Sequence, residues 1–499
     1  MATQHPDNAI LPSFTKEKHI VSTQDEIEEC FRMFSDLSID EYMWDWEGKF
    51  VDEAVIDKLF GRYFDYFKKN QLGKDKFLTF RIPNIWQEEG YRLARAFMSI
   101  LTAEDIAHDL KVHNPPIFEV ILPMTTSHKQ MLHVQDLFRK IASYKREVFG
   151  SKHKIMRDVR VIPLFEEVDV MINSDKIVGK YLEILKKEGI KTPRQMRVFI
   201  ARSDPALNAG IVPAVISSKA AISNLRQFGE KKGIKIYPWL GAGSLPFRGG
   251  VNPENYKHIV EEYCGLSSIT IQSAFRYDYP LPQVKKAIKY LNKNLGEANI
   301  SRNCLILNKK EVLEVKKINK FFQDPYQETI EAVASKINFI SDHIPSRRER
   351  MLHVGLFGYS RGLGKVKLPR AIKFTGSLYS LGVPPELIGT GRGLRKLKKE
   401  GDLDFLKKLY LFLKEDLVHA GHYLNRENLK FLAKENKAWK EVEKDIQYLE
   451  EYLEKDLGPK KTHHFIHRNL VSTIYFKSLV SEDFQDELVK AAIIRKSLG

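Results

Sequence analysis

Apolar residues fall into two rhythms along this chain. In six short runs they stand side by side: FLTFRI from Phe77, FEVILP from Phe118, RVIPLF from Arg160, RVFIAR from Arg197, IKIYPWL from Ile234 and SITIQ from Ser268. Dense runs of this length suit strands buried on both faces. Between them apolar positions recur every three to four residues, the spacing of amphipathic helices. Repeated strand-then-helix units predict parallel strands covered by helices. Each run ends in polar, small or charged residues: Arg81 and Asn84, Thr125 and Thr126, Glu166, Asp204, the GAGSLPFRGG stretch from Gly241, and Gln272. Chemistry gathered at strand C-termini is the habit of the (β/α)8 barrel, so an α/β chain of the TIM type is the predicted fold. CLIL at Cys304 and LHVGLFGYS at Leu352 are candidates for the two missing strands, although so few residues also suit a buried helix segment.

Helices are predicted on both sides of this rhythm. One starts near Thr23, where Thr23 and Glu26 form a capping-box pattern. A second runs from about Asp52 to Lys69, with Val55, Leu59, Tyr63 and Phe67 on one face. Beyond Gly401, DLDFLKKLYLFLKEDL, the stretch from about Glu427 to Leu457, and DELVKAAIIRKSL all read as helices. No Pro- or Gly-rich linker sets them apart, so a single catalytic domain is expected. It divides into an N-terminal segment over about 1–75, a barrel over about 76–375 and a helical region over about 376–499 packed on the barrel.

Composition narrows the function classes. With 43% hydrophobic and 29% charged residues the chain is an ordinary globular protein rather than a disordered one. Lys and Arg exceed Asp and Glu by 80 to 64, a net +16 that attracts nucleic acid, anionic membranes or small anionic substrates. The excess lies in clusters such as Arg395–Lys399 and Arg347–Arg350 that read as solvated faces, and no aromatic-interleaved basic motif accompanies them, so no nucleic-acid partner is expected. No apolar run is long enough to span a bilayer, and the N-terminus lacks the pattern of an export signal, so no membrane partner is expected. Cys30, Cys264 and Cys304 lie far apart without a CxxC, which reads as free thiols in a reducing cytoplasm.

Several stretches carry candidate chemistry. Glu166 in VIPLFEEVD and Asp204 in IARSDPALNAG follow consecutive strands. Adjacent strands lie about 5 Å apart, so the two carboxylates can converge on a divalent cation, Mg2+ or Mn2+ by its preference for oxygen donors. The competing reading has Asp204 capping a helix before Pro205 and Glu166 merely exposed. GAGSLPFRGG offers close backbone approach, and Arg248 offers a fork for carboxylate or phosphate. It matches neither GxGxxG nor a Walker loop, and a structural turn is the alternative. GYSRGLGKVKLPRAIKF, with Arg361, Lys365, Lys367 and Arg370, stands where barrels often bind phosphate, against a basic surface loop. GTGRGL from Gly389 is a further candidate anion contact. His5 in TQHPDN lies near a chain end, where side chains are usually mobile. His463 and His467 in THHFIHR share a helix face and form a candidate metal pair without a third ligand.

Taken together these stretches resemble phosphoenolpyruvate carboxylase in its short archaeal-type branch, over nearly the whole chain. TQHP (Thr3–Pro6) looks like the TAHP motif of the larger enzymes, PLFEE (Pro163–Glu167) like their PLFET, and RSDPALNAG (Arg202–Gly210) like their YSDSAKDAG. GAGSLPFRGG is similar to their GRGGxxGRGG, and GYSRGLG and LPRAI (Leu368–Ile372) to their GSRPAKR and LRAI. Ala242 and Leu207 stand where those enzymes carry arginine and lysine, and KSLG departs from their ending while keeping the last glycine, Gly499. The resemblance implies carboxylation of phosphoenolpyruvate by bicarbonate to oxaloacetate and phosphate, through carboxyphosphate and a pyruvate enolate. It implies His5 and Arg248 as catalytic residues, and Arg361 and Arg370, with Gly249 and Gly250, as substrate contacts. Arg81 in TFRIPN is a further such match. Glu166 and Asp204 would hold Mg2+ or Mn2+, in a cytoplasmic homotetramer. The rival enzyme reading is another metal-dependent lyase or mutase acting on pyruvate-like enolates, and a basic nucleic-acid scaffold is the non-enzymatic one.

Overall fold

The computed structural model describes residues 1–499 apart from 16–19, 49–50, 89, 113, 151–155, 350–360, 364–365 and the side chains of 361–363. Seven strands pair in chain order into one parallel sheet: β1 (Glu41–Asp45), β2 (Phe77–Arg81), β3 (Glu119–Leu122), β4 (Arg160–Phe165), β5 (Gln195–Ala201), β6 (Lys235–Gly241) and β7 (Ser268–Ile269). The last six are the apolar runs of the sequence. Met43 of β1, Ile121 of β3, Ile162 and Leu164 of β4, Phe199 and Ala201 of β5 and Trp239 of β6 pack as one cluster, with Met1 against it. Side chains from strands so far apart in the sheet meet only because it curls around them.

The first strand, EYMWD, was not foreseen, because Glu41 and Asp45 interrupt its apolar character. Both are buried on partners: Glu41 on Arg197 (2.9 Å) and Asp45 on Arg81 (2.7 Å). The eighth position also differs from expectation. CLIL forms no strand; Leu305 and Ile306 are exposed, and the segment leads into Asn308, which caps the long helix Lys309–Asp342. LHVGLFGYS lies outside the described residues. Between the sheet edges sits the N-terminus instead. Ala2 bridges in parallel to Tyr42 of β1 and to Ile271 just past β7.

The helix at Thr23 spans Thr23–Ser35, but its cap is Ser22 with Asp25 rather than Thr23 with Glu26. The second helix is Val55–Lys69. The C-terminal stretches form the helices Leu403–Leu409, Leu413–Gly421, Arg426–Glu435, Trp439–Leu453, Thr462–Leu479 and Gln485–Arg495. GTGRGL begins the helix Thr390–Glu400 and is no anion loop. A Cβ on Gly391 would lie 2.0 Å from the Asp445 carbonyl and one on Gly393 would lie 2.3 Å from the Phe322 ring, so these glycines serve close helix packing. Arg361–Leu363 (β8) and Val366–Leu368 (β9) form an antiparallel hairpin outside the main sheet.

The thiol expectation is corrected. Cys264 and Cys304 are joined in a disulfide, and only Cys30 is free and buried. Forty residues of sequence separate the pair, yet the fold brings their Cα atoms to 5.5 Å. No described helix is long and apolar enough to cross a membrane.

Candidate functional site

The glycine stretch after β6 exists to place one arginine. Its chain turns back on itself, with the Arg248 and Gly250 amides both donating to the Leu245 carbonyl. Gly249 sits at φ +120, where side chains are strained, and a Cβ there would lie 2.5 Å from Ala242. A Cβ on Gly243 would stand 2.7 Å from Cζ of Arg248, so the guanidinium lies directly on the glycine backbone. Glu386 fixes the turn from below: its Oε1 accepts from the Phe247 amide (2.9 Å) and from the Tyr379 hydroxyl (2.8 Å). Burial pushes the Glu386 carboxyl up to about 7.

Arg248 is only 1% exposed. Its Nη1 donates to Asp7 Oδ2 (3.0 Å) and to the Gly499 carbonyl (2.5 Å), and its Nη2 to Gln272 Oε1 (2.5 Å). Its Nε is buried and has no partner among the described residues. A buried guanidinium donor without an acceptor is costly unless a ligand anion supplies one. Burial lowers the Arg248 pKa, and the charges of Asp7 and, more weakly, Asp204 oppose this. Asp204 is therefore within electrostatic reach of the arginine.

His5 lies on an ordered strap, not on a mobile end. Its Nδ1 is 2.9 Å from Thr3 Oγ1, and its carbonyl accepts from the Ser273 amide. The Thr3 carbonyl accepts from Arg276 (2.9 Å), which with Arg348 pairs with the buried Glu29. Farther along, the Ala9 and Ile10 amides donate to the two oxygens of Asp278 (2.7 and 2.8 Å), and Arg347 donates to the Ala9 carbonyl (2.8 Å). Burial pushes the Asp278 carboxyl up to about 8.

Glu166 follows β4 directly and is buried, not exposed. Asp204 lies in the first turn of the helix Ser203–Ala209, whose cap position is Arg202, so Asp204 is not the cap residue. The strands that carry them are paired, Phe165 opposite Ile200. Two carboxylates on neighbouring strand ends, Asp204 within electrostatic reach of the buried Arg248, suit a hard divalent cation that also takes substrate oxygens and water. Among the described residues no group of three or more His, Cys, Asp or Glu could hold a metal by itself. The His463 and His467 side chains do not share one environment. His463 is exposed, whereas His467 is buried against Tyr423 with Nε2 3.4 Å from Arg495 Nη1. Burial, then the Arg495 charge, holds its pKa well below the ordinary value.

Arg81 and Arg370 meet on a different acid. Arg81 forks onto Asp45 (2.7 and 2.8 Å) and reaches Glu47 (2.7 Å), while half-exposed Arg370 lies 3.5 Å from Glu47. The Asp45 amide in turn donates to Gln4 Oε1 (2.9 Å), which ties this pair to the strap. Gly249 and Gly250 follow Arg248 directly and both adopt positive φ (120 and 70). Arg361 lies on β8 with its side chain outside the described residues.

Sequence reasoning left three contributors unassigned. Asp7 stands two residues past His5 and escaped because a carboxylate in TQHPDN carries no spacing signal. Gln272 was visible as a strand-end polar residue without a partner. Gly499 comes to Arg248 only through the fold, with Ser497 Oγ and the Leu498 amide both donating to the Asp7 carbonyl (3.2 and 2.7 Å).

The whole chain, residues 1–499, matches the family model described as phosphoenolpyruvate carboxylase. The chain belongs to the phosphoenolpyruvate carboxylase family, in its archaeal-type branch. It is similar to the phosphoenolpyruvate carboxylase of Oenococcus oeni, 40% identical over 504 residues that cover 100% of this chain and 98% of that one. That of Metallosphaera sedula is 40% identical over 518 residues, covering 100% and 99% of the two chains. That of Pyrococcus horikoshii is 42% identical over 435 residues, covering 85% and 88%. Membership places the chain among the carboxy-lyases.

Proposed function

We propose that this chain carboxylates phosphoenolpyruvate with bicarbonate, giving oxaloacetate and phosphate, at the strand-end site around Arg248. The observation that carries this reading is a fully buried arginine whose Nε has no partner among the described residues, seated on glycine backbone beside the His5 strap. Both substrates are anions, and a desolvated guanidinium binds such groups far more strongly than an exposed one.

In the reaction a bicarbonate oxygen attacks phosphorus and the bond to the enol oxygen breaks, leaving carboxyphosphate and the pyruvate enolate. Arg248 neutralises the transferring phosphoryl group and then holds carboxyphosphate. His5 takes the carboxyl proton of carboxyphosphate; its C–O bond to phosphorus-bound oxygen breaks to give carbon dioxide and phosphate. The enolate carbon then attacks carbon dioxide. Arg81 and Arg370, together with Arg361, would add cationic contacts for the substrate carboxylate or phosphate. Glu166 and Asp204 would hold Mg2+ or Mn2+, which when bound offsets charge on the enolate oxygen. The strap covers the site and limits water that would protonate the enolate.

A closed (β/α)8 barrel belongs to this reading, with the N-terminal residues as the stave between β7 and β1; the double bridging of Ala2 supports it. A homotetramer in the cytoplasm completes it. The exposed apolar run Phe465, Ile466, Phe476, Leu479 and Val480 supports assembly, and light scattering tests it. The decisive assay couples oxaloacetate to malate dehydrogenase, with Mg2+ and with EDTA. Bicarbonate- and metal-dependent turnover is expected; a folded, metal-loaded sample without it would refute the carboxylase reading.

A further inference from the structure

Among the contacts of the described residues, the strap that carries His5 reaches Arg248 through the side chain of Asp7. Asp7 is fully buried, with Oδ2 on Arg248 Nη1 (3.0 Å) and Oδ1 on the Ala274 amide (2.8 Å) at the helix after β7. Its own carbonyl takes the Leu498 amide (2.7 Å) and Ser497 Oγ (3.2 Å). Four separate pieces of chain therefore meet at one residue: the strap, the glycine turn, the start of the Ser273–Tyr277 helix and the last residues. The remaining strap anchors reach the region after β7 (Thr3 to Arg276, Ala9 and Ile10 to Asp278), the end of β1 (Gln4 to Asp45) and Arg347 (through the Ala9 carbonyl). None of them touches the glycine turn.

We propose that Asp7 is a positioning residue that couples the His5 strap to Arg248, so that the base and the phosphoryl-binding group act on one carboxyphosphate. The proposal rests on the roles assigned above to His5 and Arg248. The two half-reactions need these residues unequally. Phosphoryl transfer from phosphoenolpyruvate to bicarbonate uses Arg248. Release of carbon dioxide next to the enolate uses His5 in register with the carboxyphosphate that Arg248 holds. With the coupling cut, transfer continues and its products part. The enolate takes a proton from water and leaves as pyruvate, while carboxyphosphate decomposes to carbon dioxide and phosphate. Every phosphoenolpyruvate consumed still yields one phosphate, but not one oxaloacetate.

The test is the ratio of phosphate to oxaloacetate released by the full chain loaded with Mg2+. Asp7→Asn keeps the size of the side chain and an acceptor for the Ala274 amide but removes the charge that pairs with Arg248. The ratio is expected to rise severalfold above the value of one for the unaltered protein, with pyruvate making up the difference. Gln272→Leu loosens Arg248 from the other side without touching the strap. It is expected to lower kcat/KM by about ten- to 150-fold, the cost of one buried bond to a charged group, with the ratio unchanged. Thermal melting of both variants shows whether they fold. Should Asp7→Asn fail to fold, Asp7→Glu, whose extra methylene keeps the charge but pushes the strap out of register with Arg248, is expected to raise the ratio as well, and an unchanged ratio in it would overturn the proposal. Asp7→Asn that slows the enzyme at an unchanged ratio would overturn the proposal, since a purely structural role lowers both products alike. His5→Asn and Arg248→Gln run alongside: if either retains full oxaloacetate formation, the assignment of the site itself is wrong, which is a distinct failure.

Discussion

Replacing Gly499 with alanine asks whether the last residues are a working part of the site. The added Cβ would stand 1.9 Å from the Ile372 carbonyl and 2.6 Å from the Gly376 amide nitrogen, well inside the 3.4–4 Å of ordinary contact. Both obstacles are backbone of the helix Ala371–Ser380 and cannot rotate aside. The tail must withdraw. Withdrawal breaks the bond from Arg248 Nη1 to the Gly499 carbonyl and strains that from the Leu498 amide to Asp7. Loss of one buried bond to a charged group is about 1.5–3 kcal/mol. At about 1.4 kcal/mol per factor of ten, kcat/KM for phosphoenolpyruvate should fall by about ten- to 150-fold. The coupled oxaloacetate assay reads the rate, and scanning calorimetry checks that the melting temperature drops by no more than a few degrees. A variant with unaltered kcat/KM would show that the tail merely fills space and that the Arg248 contact has no part in turnover.

Three further outcomes follow from the geometry. Gly243→Ala pushes a Cβ to 2.7 Å from the Arg248 guanidinium carbon, so phosphoenolpyruvate binding should weaken while the melt stays close to that of the unaltered protein, as titration calorimetry can establish. Reducing or replacing the Cys264–Cys304 disulfide, which spans 40 residues, should cost about 4 kcal/mol on the chain-entropy account, seen as a lower melting temperature in Cys304→Ser; equal melts would place the stabilisation elsewhere. Glu386, raised by burial from 4.5 to about 7, holds its proton more tightly in the folded protein than in the unfolded chain, so its contribution to stability is full below pH about 4.5 and is lost as pH rises through about 7. Glu386→Gln keeps the acceptor for Phe247 and should flatten the melting temperature across that window; a slope identical to that of the unaltered protein would count against the assignment.

What the sequence disclosed and what it hid divide along physical lines. Six strands were legible because a strand buried on both faces has to be apolar throughout, and FEVILP or RVFIAR can hardly be anything else. EYMWD was hidden because its acids are satisfied by Arg197 and Arg81, partners supplied by other strands. CLIL looked like a strand for the opposite reason: its composition fits, but it lies as an irregular connection between the Cys304 disulfide and the Asn308 cap, with Leu305 and Ile306 exposed. Among site residues, Arg248 announced itself through its glycines, and Glu166 and Asp204 through strand ends. Asp7 and Gly499 gave no such sign, since their meaning lies in a contact between residues nearly 500 positions apart, and no local pattern encodes that.

That contact bears on how the protein is made. Asp7 and Ser497 are bonded across 490 positions of chain, and both bear on Arg248 or its neighbours. During synthesis the strap precedes residues 497–499 by the whole barrel and helical region, so its binding partners are complete only after both have been made. The earlier strands can pair as they appear, since each neighbours the one before it. A product lacking residues 497–499 would thus carry a nearly finished scaffold with an unassembled centre, which makes those residues a condition for catalysis rather than for folding alone.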